Sequence, residues 1–204
     1  MFNKNFIFKL PITFVLGFLI SINSCDIGIE PSPDPGILRI TLESDPLDTS
    51  IVIVTNTFNV SQDDSLGVKI FQGKAYKDTV YSVLYNDIKS YKQEEITYNI
   101  IKRDSTGYKK YIIFESFVPP FDYDRIQFGI KSNILKISNF DITNVQSPEN
   151  ASFFIDLYQD FYVSENDTTE INVRIRPFMS ISRYRDSYQF IPDVSITNVI
   201  YQRK

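Results

Sequence analysis

Six carboxylates fall close enough along the chain to be weighed together for acid–base work: Asp122, Asp124, Asp156, Asp160, Glu165 and Asp167. Two carboxyls held roughly 5–9 Å apart suffice to hydrolyse a glycosidic bond, one as acid and one as base or nucleophile. Asp63-Asp64-Ser65 and Glu165-Asn166-Asp167 also offer the hard oxygens that calcium takes, but neither follows the twelve-residue loop spacing. Short acidic and amide side chains bond their own backbone in turns. These acids therefore read first as solvated turn and strand-end residues. No catalytic residue, metal or cofactor is assigned.

Rings and cations come next. The chain holds 13 tyrosines and 17 phenylalanines and no tryptophan, and Tyr158, Phe161 and Tyr162 form a local cluster able to stack on a sugar. Aromatics are equally favoured in strands and cores, and core placement is the expectation. Arg174 and Arg176, like Arg183 and Arg185, recur at period two. Each pair would share a strand face and draw an anion; a solvated face balanced by acids is expected instead. Asp64-Ser65-Leu66, Asp78-Thr79-Val80, Asp104-Ser105-Thr106 and Asp167-Thr168-Thr169 resemble a bacterial O-glycosylation acceptor. That makes Ser65, Thr79, Ser105 and Thr168 candidate modification sites.

The 204 residues include no histidine and one cysteine. A Cys/His zinc site, a Ser-His-Asp triad and a Cys-His pair are thereby excluded, as is an internal disulfide. A formal net charge of −4 argues against a nucleic-acid partner, which needs a basic surface.

The single cysteine stands in an informative place. Lys4 and Lys9 precede an uncharged run from Leu10 to Cys25 whose apolar part spans Ile12–Ile22. A basic start and a short apolar core make a secretory signal, too short for a comfortable membrane span. Its end, Ile22-Asn23-Ser24-Cys25, resembles a bacterial lipobox. Cleavage before Cys25 and acylation of its thiol and amine would anchor the chain, because several acyl chains bind lipid stably where one does not. Pro31, Pro33 and Pro35 then make an extended tether. The expected organisation is a signal peptide over 1–24, the lipidated Cys25 with a linker over 25–36, and one domain over 37–204.

Those chemical candidates must be positioned by strands. Leu38, Ile40 and Leu42 alternate with Arg39, Thr41 and Glu43, a half-buried strand. Ile126/Phe128/Ile130 and Ile171/Val173/Ile175 repeat the pattern, and Ile51–Val54 reads as a strand buried on both faces. Further strands are expected at Val68–Phe71, Thr79–Tyr85, Glu94–Ile101, Tyr108–Phe114, Ile134–Ile137, Ser152–Tyr158 and Val194–Tyr201, with one helical turn at Asp87–Glu95. Some ten short strands separated by turn residues predict an all-β fold, a single antiparallel β-sandwich. Its core should include Leu38, Ile40, Leu42, Ile126, Phe128, Ile171 and Val173.

Gly36-Ile37-Leu38-Arg39-Ile40-Thr41-Leu42-Glu43-Ser44-Asp45-Pro46, Pro119-Pro120-Phe121-Asp122-Tyr123-Asp124-Arg125-Ile126-Gln127-Phe128, and Ser180-Ile181 with Tyr188 and Pro192 resemble a bacterial lipoprotein family, domain of unknown function four-three-eight-two. The resemblance implies an exported immunoglobulin- or transthyretin-like sandwich without established enzyme activity. It carries over no site residues.

The expectation for function is a lipid-anchored envelope protein at the outer membrane or cell surface. It would be a non-enzymatic binding or structural module whose partners are the membrane, through its lipid, and a glycan or envelope protein. The alternatives are a carboxylate-dependent glycoside hydrolase and a pilin-like subunit that exchanges its first strand.

Overall fold

The computed structural model describes residues 32–105, 107–137 and 140–203; the side chains of residues 133 and 140–143 are outside that description. The chain divides into two units, Met1–Ser32 and Pro33–Lys204. All the described strands belong to the second unit. Cys25, the expected signal peptide and most of the expected linker lie outside the described residues.

Strand-forming sequence dominates, and no helix occurs among the described residues. Sixteen strands are described. The smaller of the two main sheets has the order β16-β13-β1-β9, formed by Val194–Gln202, Thr168–Ile175, Gly36–Ser44 and Tyr111–Val118. The larger runs β14-β15-β11-β10-β4-β5: Ile181–Tyr184, Ser187–Phe190, Phe140–Gln146, Phe121–Ile137, Ser65–Lys77 and Val80–Leu84. β12 (Phe154–Val163) adds to β10, and β6 (Ile96–Asn99) adds to β4. Two small hairpins complete the set: β2 (Ser50–Ile53) with β3 (Asn56–Asn59), and β7 (Arg103–Asp104) with β8 (Gly107–Tyr108).

The main sheets pack face to face, as a sandwich does. Phe114 of β9 meets Phe128 of β10 at a ring separation of 6.1 Å. All seven expected core residues are fully buried. Alternation explains this: in β1 every second side chain from Leu38 points into the core, while Arg39 and Glu43 point out.

Several expectations need correction. The sheets are not wholly antiparallel, because β1 runs parallel to β13 and β11 parallel to β15. Parallel neighbours need a long crossover, and for β1 and β13 nearly all of the larger sheet supplies it. Ile51–Val54 is not buried on both faces. Ile51 and Ile53 are covered, Val52 is exposed, and Val54 turns the hairpin at φ 59°. Asp87–Glu95 holds a turn rather than a helix, with the Ser90 N–H donating to the Asp87 carbonyl and the Lys89 N–H to its carboxylate. The alternating Ile126/Phe128/Ile130 and the strand expected at Ile134–Ile137 are parts of one long strand, β10.

Candidate functional site

The outward side of the larger sheet places aromatic and charged side chains in register. Along β10, Tyr123, Ile126 and Phe128 are buried, while Asp124, Arg125 and Gln127 are half-buried. Arg125 pairs with Tyr76 of β4 on one side and Tyr158 of β12 on the other, and Tyr76 pairs with Tyr81 of β5. One row thus crosses four strands: Tyr81, Tyr76, Arg125, Tyr158. The rings of Tyr81 and Tyr76 are 5.4 Å apart. The Arg125 guanidinium lies 4.1 Å from the Tyr76 ring centre and 5.6 Å from that of Tyr158. Tyr158 is 74% exposed and Tyr81 50%.

The neighbouring row, Lys74, Gln127 and Asp156, locks the first. The Tyr76 hydroxyl donates to Gln127 Oε1 at 3.2 Å, and Gln127 Nε2 donates to Asp156 Oδ1 at 3.0 Å. Asp156 also pairs with Arg125 at 3.3 Å. Burial works against the Arg125 charge, but the Tyr158 hydrogen bond and the nearby Asp156 charge outweigh it and hold the guanidinium above its usual pKa. Farther along, Phe71 and Phe154 meet edge to face at 5.7 Å across Gly129. A Cβ on Gly129 would come within 2.3 Å of the Phe71 ring. Glycine there lets the ring lie flat on the strand.

A bulge breaks the β10–β12 ladder beside the first row. Tyr123 faces Phe161 and Arg125 faces Tyr158, so Gln159 and Asp160 stand opposite Asp124 alone. Bulges re-aim side chains. Here a shallow cavity of about 610 Å³ opens, lined by Asp78, Asp124, Arg125, Tyr158, Gln159 and Asp160. The Asp78 N–H donates to Asp124 Oδ2 at 2.6 Å, tying the β4–β5 turn to the bulge. A second groove of about 330 Å³ shares Asp124 and Asp160 and adds Lys77, Asp122 and the stacked pair Tyr162–Tyr201.

Of the six expected carboxylates, Asp122, Asp124 and Asp160 come together around these grooves. Asp156 lies one row away, and Glu165 and Asp167 lie in the β12–β13 turn. No three acids among the described residues gather in a way that could hold a metal ion. The aromatic cluster divides: Phe161 is core, whereas Tyr158 and Tyr162 are exposed, contrary to the core expectation. Tyr162 stacks on Tyr201 of β16, and β12 pairs with β10 on one side.

Asp64 is a further correction, being buried at 2% exposure where a solvated turn acid was expected. Its carboxylate accepts the Ser61 N–H at 2.7 Å. Arg174 pairs with Glu43 at 2.9 Å and Arg176 with Asp193, so acids balance both cations. Arg185 falls in the β14–β15 turn at φ 55° and does not share a strand face with Arg183. Among the modification candidates, Thr79 and Ser105 are exposed in turns, whereas Ser65 and Thr168 are half-buried in strands.

Sequence inspection missed Tyr76, Tyr81, Arg125 and Lys74 as neighbours, since 49 residues separate Tyr76 from Arg125 and only register joins them. No protein-family model, no curated protein and no solved structure matches this chain. The resemblance to domain of unknown function four-three-eight-two therefore rests on the quoted residues alone.

Proposed function

We propose that this chain is a lipid-anchored protein of the bacterial cell envelope that binds glycan without turning it over, held at the outer membrane or cell surface by acylated Cys25. Its finer fold assignment, an immunoglobulin- or transthyretin-like sandwich, belongs to the same proposal. The observation that carries the reading is the row Tyr81, Tyr76, Arg125, Tyr158 on an open sheet face. A tyrosine ring offers a flat apolar surface to the C–H face of a pyranose, and its hydroxyl adds a hydrogen bond. Polar side chains set beside the rings, here Gln127 and Asp156, supply the directional contacts that fix a ligand. Tyr81 and Tyr158 are the exposed rings of this row, and exposed apolar surface rimmed by polar groups marks interaction sites.

One observation favours the hydrolase as a second reading: Asp122, Asp124 and Asp160 border connected grooves. The pilin-like alternative requires β1 to leave the middle of its sheet and expose Leu38, Ile40 and Leu42, all fully buried.

The test uses the full-length protein in detergent, run in native gels cast with soluble polysaccharides. Retardation by at least one glycan is expected, with Tyr81→Ala combined with Tyr158→Ala abolishing it while the fold persists by circular dichroism. Wild-type protein unretarded across a chemically varied panel rejects the reading. Release of reducing ends that disappears in Asp124→Asn or Asp160→Asn would establish the hydrolase instead.

A further inference from the structure

Resting on the glycan reading above, we propose that the ligand is an acidic polysaccharide, its pyranose rings on the exposed Tyr81 and Tyr158 and its carboxylate or sulfate groups on Lys74, Arg125 and Lys131. The chain as a whole is acidic, with a net charge of −4. The middle of this face departs from that balance. Four cations, Lys69, Lys74, Arg125 and Lys131, stand there against two carboxylates, Glu95 and Asp156. Glu95 is shared between Lys69 at 3.7 Å and Lys131 at 2.9 Å, and Asp156 serves Arg125. Lys74 forms no ion pair among the described residues.

Lys74 rests on a ring instead, and Lys131 lies beside a ring in addition to its Glu95 pair. Lys74 Nζ lies 4.5 Å from the Tyr81 ring centre, and Lys131 Nζ lies 4.9 Å from that of Phe71. An ammonium over an exposed ring is weakly held, whereas a carboxylate or sulfate offers a charge-assisted hydrogen bond. An arriving polyanion therefore draws Lys74 aside, and the Tyr81 ring it covered becomes a stacking surface. Arg125 adds a planar fork that fits a carboxylate with two parallel bonds.

Direction is also written into the face. Neighbouring strands lie about 4.8 Å apart, and the two exposed rings, Tyr81 and Tyr158, stand at the opposite ends of a row that crosses four strands. The polysaccharide therefore runs across the strands along the tyrosine row. Asp78, Asp124 and Asp160 flank the Tyr158 end of that row on one side, and Lys74 and Lys131 lie on the other. The acidic side repels like charge. The anionic groups of the glycan accordingly face the lysines, so one edge of the chain carries the recognised charge.

The experiment compares polygalacturonate, chondroitin sulfate, a neutral glucan and a single-stranded oligonucleotide against full-length protein in detergent. The expected result is binding of the acidic glycans at least tenfold tighter than the neutral one. That preference should weaken as salt rises from about 0.05 to 0.5 M, because screening shortens the reach of exposed charges. Lys74→Gln combined with Lys131→Gln should remove the preference, while Lys102→Gln, a charge change elsewhere, should leave it intact. Equal binding of neutral and acidic glycans, or a double variant that keeps the preference, overturns the inference and leaves the glycan reading standing. Binding of no glycan overturns both. Retention of the oligonucleotide in preference to the glycans assigns the face to nucleic acid and overturns the inference.

Discussion

The ring of Phe114 on β9 lies 2.8 Å from the point where a Cβ on Gly73 of β4 would sit. The two residues belong to opposite sheets, and the absent side chain of one is the space filled by the other. Phe114 is fully buried and leans on Phe128, so it has no free direction in which to retreat. Gly73→Ala is expected to destabilise the domain by about 1–3 kcal/mol through overpacking. Denaturant unfolding followed by tyrosine fluorescence measures this. An unchanged midpoint would mean that the sheets can separate locally without cost.

Stability should depend on acid pH through Glu170. Burial opposes its charge, but Lys110 at 2.8 Å and Arg39 at 3.5 Å outweigh that and hold its carboxyl below the usual glutamate range. A carboxyl with a lowered folded pKa contributes stability that is fully present above the unfolded value of about 4.3 and is lost as pH falls through the folded value. Unfolding midpoints measured between pH 6 and pH 2 should therefore drop below about pH 4. Glu170→Gln should flatten part of that drop. A wild-type curve no steeper than the variant's would remove Glu170 from the account.

Neighbouring aspartates should behave differently. Asp64 is buried and accepts the Ser61 N–H, so Asp64→Ala should cost about 1.5–3 kcal/mol by removing a charge-assisted hydrogen bond. Asp63, beside it, is exposed, and Asp63→Ala should change stability by less than about 0.5 kcal/mol. Equal costs at the two positions would contradict the burial.

Cys25→Ser should move the full-length protein from the membrane fraction to the soluble fraction on cell lysis. Retention of the variant with membranes would point to another anchor and refute the lipobox reading of Ile22–Cys25.

Modification, where present, is expected at Thr79 or Ser105, since both are exposed in turns and an enzyme can reach them. Intact mass of Thr79→Ala combined with Ser105→Ala should then equal polypeptide plus lipid. A sugar mass that survives in the double variant would place the modification elsewhere.

Alternation alone shows which side of β1 and of β13 faces the core. Side chains of a strand alternate with period two, so Leu38, Ile40 and Leu42 or Ile171 and Val173 declare their inward face without reference to any partner. Absence of histidine and the position of Cys25 are likewise properties of the chain alone. Everything that depends on which strand lies beside which waits on long-range pairing. The parallel pairing of β1 with β13 joins Ile40 to Ile171, more than a hundred residues away, and no local pattern encodes that choice. The Tyr81, Tyr76, Arg125, Tyr158 row exists only because four strands meet in one register. A one-residue slip would send each of these side chains to the other face. Asp124 and Asp160 owe their proximity to a bulge, an interruption of pairing that becomes visible only when both strands are in place.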